Sequence, residues 1–225
     1  MKTVFQYIRF FFYVALNWNL PLAFFVMYHD IRGALKYRIK TFVPVPFARL
    51  STGNADISKS SPYEAVNYYM LERLLAAFRK LSSMDSLVDL GCGKGRVMVV
   101  AAHFGFMHIT GIDFASELCT AASANMKKTQ EKFPGLYWKV IHLNVLDYPI
   151  MPEDKVFFMF NPFDKETLAT FLGKLEQSCR THPRKTYFIY ASPQHLAELE
   201  SRGYRVVYRR SLLNLKGVIL EKKKD

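Results

Sequence analysis

Acidic residues are in short supply. The 225-residue chain carries 19 Asp and Glu against 31 Lys and Arg, a formal net charge of +12. Such an imbalance suits an anionic partner: a nucleic acid, a membrane surface or an acidic protein. It serves plain solubility equally well, because part of it lies in two separate places, Arg32 to Lys40 and Lys222 to Lys224. Cysteine is scarcer still. Cys92, Cys119 and Cys179 are odd in number and far apart. That excludes a disulfide framework and any pair with metal-ligand spacing, and it fits a reducing, cytoplasmic setting. No Ser/His/Asp constellation and no metal cluster is visible. His103, His108 and His142 fall in or beside predicted core elements and read as packed or edge residues. Internal repeats and low-complexity tracts are absent too.

What is present is apolar. Half the residues are hydrophobic and 15% are aromatic, a globular composition in a chain long enough for one substantial core. Residues 1–45 stand apart as a hydrophobic helical extension. Phe10 to Tyr28 is uncharged, broken only by Asn17, Asn19 and Pro21, and just long enough to span a bilayer. Arg32, Lys36, Arg38 and Lys40 beyond it would hold its C-terminal side in the cytoplasm. Three placements follow: a span, an amphipathic helix on the membrane surface, or a lid packed on the domain. Residues 46–60 read as a connector, punctuated by Pro46, Gly53 and Asn54.

Residues 61–225 form the main domain. Ser61, Pro62 and Glu64 make a capping box that opens a helix whose apolar face carries Val66, Met70, Leu74 and Phe78. Short apolar runs then predict buried parallel strands at 87–90, 108–113, 137–143, 156–160 and 186–190. Helices are predicted between them at 95–104, 116–132 and 165–181, with a short one at 193–201. Runs 204–208 and 215–221 lie too close together for a crossover helix and read as an antiparallel pair. The fold class is α/β: a doubly wound, mostly parallel seven-stranded sheet with an antiparallel C-terminal pair.

Asp89-Leu90-Gly91-Cys92-Gly93-Lys94-Gly95 follows the first strand and opens a helix. Glycines there permit a sharp turn and close approach of a ligand to the backbone. The dinucleotide fingerprint would need glycine or alanine where Arg96 stands, and the P-loop pattern is missing. Asp113 ends the second strand, where a carboxylate can accept the hydrogen bonds of a ribose diol. Cys92 reads as a small space-filling residue.

Asp89-x-Gly91-x-Gly93-x-Gly95 and Gly111-Ile112-Asp113 resemble the two cofactor motifs of class I, Rossmann-like, S-adenosylmethionine-dependent methyltransferases. The resemblance covers roughly residues 60 to 221. It implies that Gly91, Cys92, Gly93 and Gly95 line the methionine part of the cofactor. Asp89 would lie near its amino group and Asp113, with Phe114 beside it, at the ribose. Asn144 and Val145 would stand at the adenine, where the family often has an Asp; Asp147 is the neighbouring alternative. Asn161-Pro162-Phe163, ending strand four, resembles in shortened form the Asn-Pro-Pro-aromatic motif of methyltransferases acting on amide or amine nitrogens. It implies that these three residues position the acceptor, with Asn161 also reaching the cofactor. Tyr63 and Asn67, ahead of the loop, are lid candidates by a looser likeness to protein-lysine methyltransferases. As a whole-chain pattern the sequence is most similar to uncharacterised bacterial methyltransferases with an aromatic-rich N-terminal segment. The expected activity is in-line methyl transfer, which positioning alone can largely drive, onto a protein side-chain nitrogen. The alternatives are RNA as acceptor and a membrane-bound, non-catalytic cofactor-binding module. The acceptor itself and the oligomeric state are not legible.

Overall fold

The computed structural model describes residues 2–41, 64–161 and 163–223. Two helices come first: α1 (Lys2–Asn17) and α2 (Leu20–Tyr37). Then follow α3 (Tyr68–Leu81), β1 (Ser86–Leu90), α4 (Arg96–His103), β2 (His108–Asp113), α5 (Ser116–Lys132) and β3 (Tyr137–His142). A single 3-10 turn at Val145–Asp147 leads to β4 (Val156–Met159), α6 (Lys165–Thr181), β5 (Thr186–Ala191), α7 (Leu196–Glu200), β6 (Arg205–Leu212) and β7 (Leu215–Lys222).

The seven strands form one sheet in the order β3-β2-β1-β4-β5-β7-β6. The first five are parallel; β7 runs antiparallel between β5 and β6. Period-two alternation sorts the apolar residues between two faces. Leu87, Ile109, Phe158 and Ile189 meet α3, α4 and α5 on one side. Val88, Ile112, Phe157 and Phe188 meet α6 and α7 on the other. The chain leaves β1 toward one face and β4 toward the other. The crevice between those neighbours, at their carboxyl ends, is where such a sheet receives a ligand.

The long apolar run at Phe10–Tyr28 is not one helix. Asn19 accepts a hydrogen bond from Leu22 N at 2.8 Å and Pro21 occupies the first turn of α2. Together they stop one helix and start another. No helix among the described residues is long and apolar enough to cross a membrane. The capping box is also displaced. Glu64 to Asn67 are non-helical and α3 starts at Tyr68, with Asn67 Oδ1 accepting from Tyr69 N at 2.9 Å. The short helix foreseen from Pro193 starts only at Leu196, because the N–H groups of Gln194 and His195 are turned toward Tyr190 Oη.

The α1–α2 hairpin is fastened to the domain by polar contacts. Glu72 of α3 accepts from Lys36 Nζ and Tyr37 Oη at 2.7 Å each and from Arg32 Nη1 at 3.0 Å. Burial raises the Glu72 carboxyl, but those three donors outweigh it and hold it below the usual range. Deeper in, Arg96 Nη1 donates to Asp30 Oδ1 at 2.7 Å and to Val66 O at 2.9 Å. Its Nε donates to Thr41 Oγ1 at 2.7 Å, and its guanidinium lies 4.0 Å from the Tyr68 ring centre. Both members of the ion pair are buried. Gly33 lets α2 come this close: a Cβ there would stand 2.2 Å from the Tyr68 ring.

Removing one member of a buried pair strands the other charge. Asp30→Ala is expected to lower the unfolding free energy by about 3–5 kcal/mol, read by urea denaturation. A loss below about 1 kcal/mol would show that solvent reaches the Arg96 guanidinium and that the pair is not buried as described.

Candidate functional site

The crevice is floored by the loop after β1. Gly91, Gly93 and Gly95 have φ of 78°, 53° and 76°, the left-handed region in which a side chain is strained. Gly91 N and Cys92 N both donate to Ile112 O at 2.9 Å, which ties the loop to the end of β2. Gly95 N closes the turn on Cys92 O at 2.8 Å. Asn125 of α5 holds the Lys94 carbonyl at 2.9 Å. A Cβ on Gly95 would meet the Ala122 backbone at 3.1 Å, so α4 and α5 also need glycine there.

Asp113 braces the same loop. Its Oδ2 accepts from Gly93 N at 2.8 Å and its Oδ1 from Ala115 N at 2.9 Å. Each carboxylate oxygen keeps a second lone pair for an incoming donor. Asp89, on β1 beside Gly111, is buried, and its Oδ2 has no hydrogen-bond partner among the described residues. Burial, then the neighbouring Asp113, raises its carboxyl well above the ordinary range. Neither acid forms a salt bridge among the described residues. Two under-neutralised carboxyl groups beside an open glycine loop are an arrangement completed by a ligand bearing a cation and hydroxyl groups.

The remaining candidates fall as follows. Cys92 is buried, its thiol pushed well up by burial, and it packs against Gly111: a space-filling role. Phe114 is half-buried, and its carbonyl lies 2.9 Å from His142 Nε2. Asn144 uses its amide oxygen to cap the 3-10 turn, accepting from Leu146 N at 2.9 Å, which leaves its NH₂ as the group available to a ligand. The Val145 side chain is buried in the α6-side core, so its backbone alone is on offer there. Asn161 sits just past β4 at φ 42°. Its Oδ1 accepts from Tyr190 Oη at 2.8 Å and from Gln194 N at 3.4 Å. Phe163 is half-buried and packs against the α6-side cluster. Asn67 caps α3. Tyr63 and Pro162 lie outside the described residues.

Tyr190 is the residue the sequence reading passes over. It is the penultimate residue of β5, is buried, and its hydroxyl joins Asn161 to the backbone of Gln194 and His195. Its position at the carboxyl end of a buried strand is the signal that applies equally to Asn161.

Known proteins agree with this geometry. Residues 88–159 match the family described as Methyltransferase domain. No curated protein matches the sequence. Among solved structures, a proposed RNA methyltransferase from Pyrococcus horikoshii superposes with a TM-score of 0.53 at 17% identity, covering 79% of this chain and 94% of that one. An S-adenosylmethionine-dependent methyltransferase from Methanococcus maripaludis, also described as proposed, gives 0.52 at 13% identity, with 70% and 86% covered. Magnesium protoporphyrin IX methyltransferase from Synechocystis, solved with bound S-adenosylmethionine, gives 0.50 at 16% identity, with 69% and 76% covered. At these identities the likeness is one of fold. Residues 88–159, which hold the glycine loop and both acids, are thus similar to a methyltransferase domain, and the sheet has the fold of S-adenosylmethionine-dependent methyltransferases. The cofactor of that class carries an ammonium, a sulfonium and a ribose diol, which the two acids and the open loop accommodate.

Two measurements follow. S-Adenosylhomocysteine binding by calorimetry is expected to weaken in Asp113→Asn by about 1.5–3 kcal/mol, the value of hydrogen bonds to a charged acceptor. Unchanged affinity would remove Asp113 from the ribose. Because Asp89 is raised in the folded protein, its contribution to stability is full below the unfolded value of about 3.9 and is lost as pH rises toward the folded value. Asp89→Asn is therefore expected to flatten the pH dependence of urea stability of the cofactor-free protein on that alkaline side. An identical slope in both proteins would contradict the buried, unpaired placement.

Proposed function

We propose that the chain transfers a methyl group from S-adenosylmethionine to a side-chain nitrogen of a protein. The observation that carries this reading is the fixed amide of Asn161 at the mouth of the crevice. When bound, the cofactor supplies an electrophilic methyl carbon whose departure from sulfur is favoured by the positive charge. Asp89 offers a buried acceptor to the cofactor's ammonium, and Asp113 offers lone pairs to its ribose. The glycine loop excludes side chains from the space the cofactor needs. Asn161 Oδ1 accepts an N–H from the acceptor nitrogen in place of its long 3.4 Å contact with Gln194 N, which turns the lone pair of that nitrogen toward the methyl group. Tyr190 fixes the rotamer by donating to the same oxygen. The left-handed backbone of Asn161, unusual for a residue other than glycine, is the local strain expected where a side chain is aimed for use. A general base is not required if the nitrogen arrives with its lone pair free, and positioning can supply much of the rate.

The test is incubation with methyl-labelled S-adenosylmethionine and a cell extract, followed by separation into protein, RNA, lipid and small molecules. Label is expected in protein. Asn161→Ala is expected to lower turnover by roughly tenfold or more and Tyr190→Phe by about fivefold, at near-constant cofactor affinity. Label in RNA, unaffected by nuclease-free protein depletion, would replace the acceptor while keeping the cofactor. Cofactor binding without transfer to any fraction would favour a non-catalytic binding module.

A further inference from the structure

The hairpin of α1 and α2 leaves its outer side uncovered. Of the sixteen large hydrophobic side chains exposed among the described residues, eleven lie on it. Their spacing is helical. Leu20, Phe24, Tyr28, Ile31 and Leu35 follow one another at intervals of four, four, three and four along α2. Phe5, Ile8, Phe12 and Leu16 do the same along α1. The opposite edges, with Val14, Leu22 and Ala23, are buried between the helices. The two exposed stripes are continuous. Phe11 meets Phe12 edge-on at 5.7 Å and Phe24 edge-on at 4.9 Å. A patch of this kind marks an interaction surface, because a free monomer rarely tolerates it.

We propose that this face lies on an anionic lipid bilayer, with the hairpin axis in the plane of the interface. Charge selects the occupant. Residues 2–40 hold six Lys and Arg against a single acid, Asp30, which is consumed by Arg96 inside the protein. Arg9, Arg38 and Lys40 are exposed and have no acid partner among the described residues. Arg9 sits within the α1 stripe, four residues after Phe5 and three before Phe12, where its long stem can bring the charge to a headgroup. A second copy would set these cations against their own images. An anionic surface neutralises them. Tyr13 and Trp18 meet edge-on at 5.6 Å at the hairpin tip, and Trp and Tyr favour the boundary between headgroup and acyl chain. No described helix can span, so the stripe lies on the surface and does not cross it. The partner is recognised by two shared properties, negative surface charge and an accessible acyl layer.

The experiment is co-sedimentation of the full chain with vesicles of phosphatidylglycerol mixed with phosphatidylcholine, against vesicles of phosphatidylcholine alone. Binding is expected to the mixed vesicles and to be at least about tenfold weaker to the neutral ones. Phe12→Ser combined with Phe24→Ser, both at exposed positions, is expected to weaken binding by more than about tenfold with an unchanged melting temperature. As a readout that leaves the patch intact, Trp138→Phe leaves Trp18 as the one tryptophan, and its emission is expected to shift to shorter wavelength on adding mixed vesicles. Protein left in the supernatant, a Trp18 spectrum that does not move, or equal binding by the serine variant overturns the proposal. So does a concentration-dependent dimer in light scattering that the serine variant dissolves, which would give the face to a second copy. None of these readouts involves methyl transfer, so they stand or fall separately from the proposed activity.

Discussion

The buried guanidinium of Arg96 is the contact on which the arrangement turns. It is the first residue of α4 and follows directly on the glycine loop. It reaches Asp30 of α2, Thr41, the carbonyl of Val66 and the ring of Tyr68 at once. One side chain thus joins the glycine loop to the N-terminal hairpin and to the segment that leads into α3. Its Nη2 has no partner among the described residues, so the cluster is tight without being saturated. A buried ion pair of this kind is weak evidence for stability compared with apolar packing, but costly to leave half-made. It therefore fixes where the hairpin sits more than it adds to the free energy of folding. Glu72 does the reverse job at the rim, where solvent reaches Arg32 and Lys36 and each contact is worth less.

Much of the fold can be read from the sequence because the governing signals are local. The strands around the crevice are short, mostly apolar runs, and α5 and α6 begin and end at the residues the pattern indicates. The glycine loop is legible for the same reason: three left-handed residues in alternation can hardly be anything but glycine. The N-terminal region is less legible. Asn19 and Pro21 were visible as interruptions, but whether they break a run or punctuate two helices depends on what α2 packs against. Ser61 to Glu64 offered a capping box, yet Asn67 is the cap used. The backbone just before it is non-helical, with Val66 O bound to Arg96. That bond joins residues thirty positions apart, and no local pattern announces it.

The candidate site divides along the same line. Its cofactor half is backbone geometry plus two acids at strand ends, and both acids stand out in sequence. The half proposed for the acceptor is side-chain geometry. Tyr190 lies on β5 and Asn161 just past the end of β4, and they meet only because β4 and β5 are paired in register. Arg96 shows the same limit from another side. In sequence it registers as the residue that rules out a dinucleotide fingerprint; in the structure it is the centre of a cluster whose other members lie before residue 70.

The place of β7 in the sheet has a consequence for the order of synthesis. β5 gains its second neighbour from β7, and β6 pairs with β7 alone. Yet β6 is translated first. While the ribosome makes β6, the hydrogen-bonding edge of β5 stays open, and the strand emerging beside it is the wrong one. An unpaired apolar edge is a template for misassembly. The exposed arginines of β6, Arg205 and Arg209, suit a strand that must wait in water for its partner without capturing that edge.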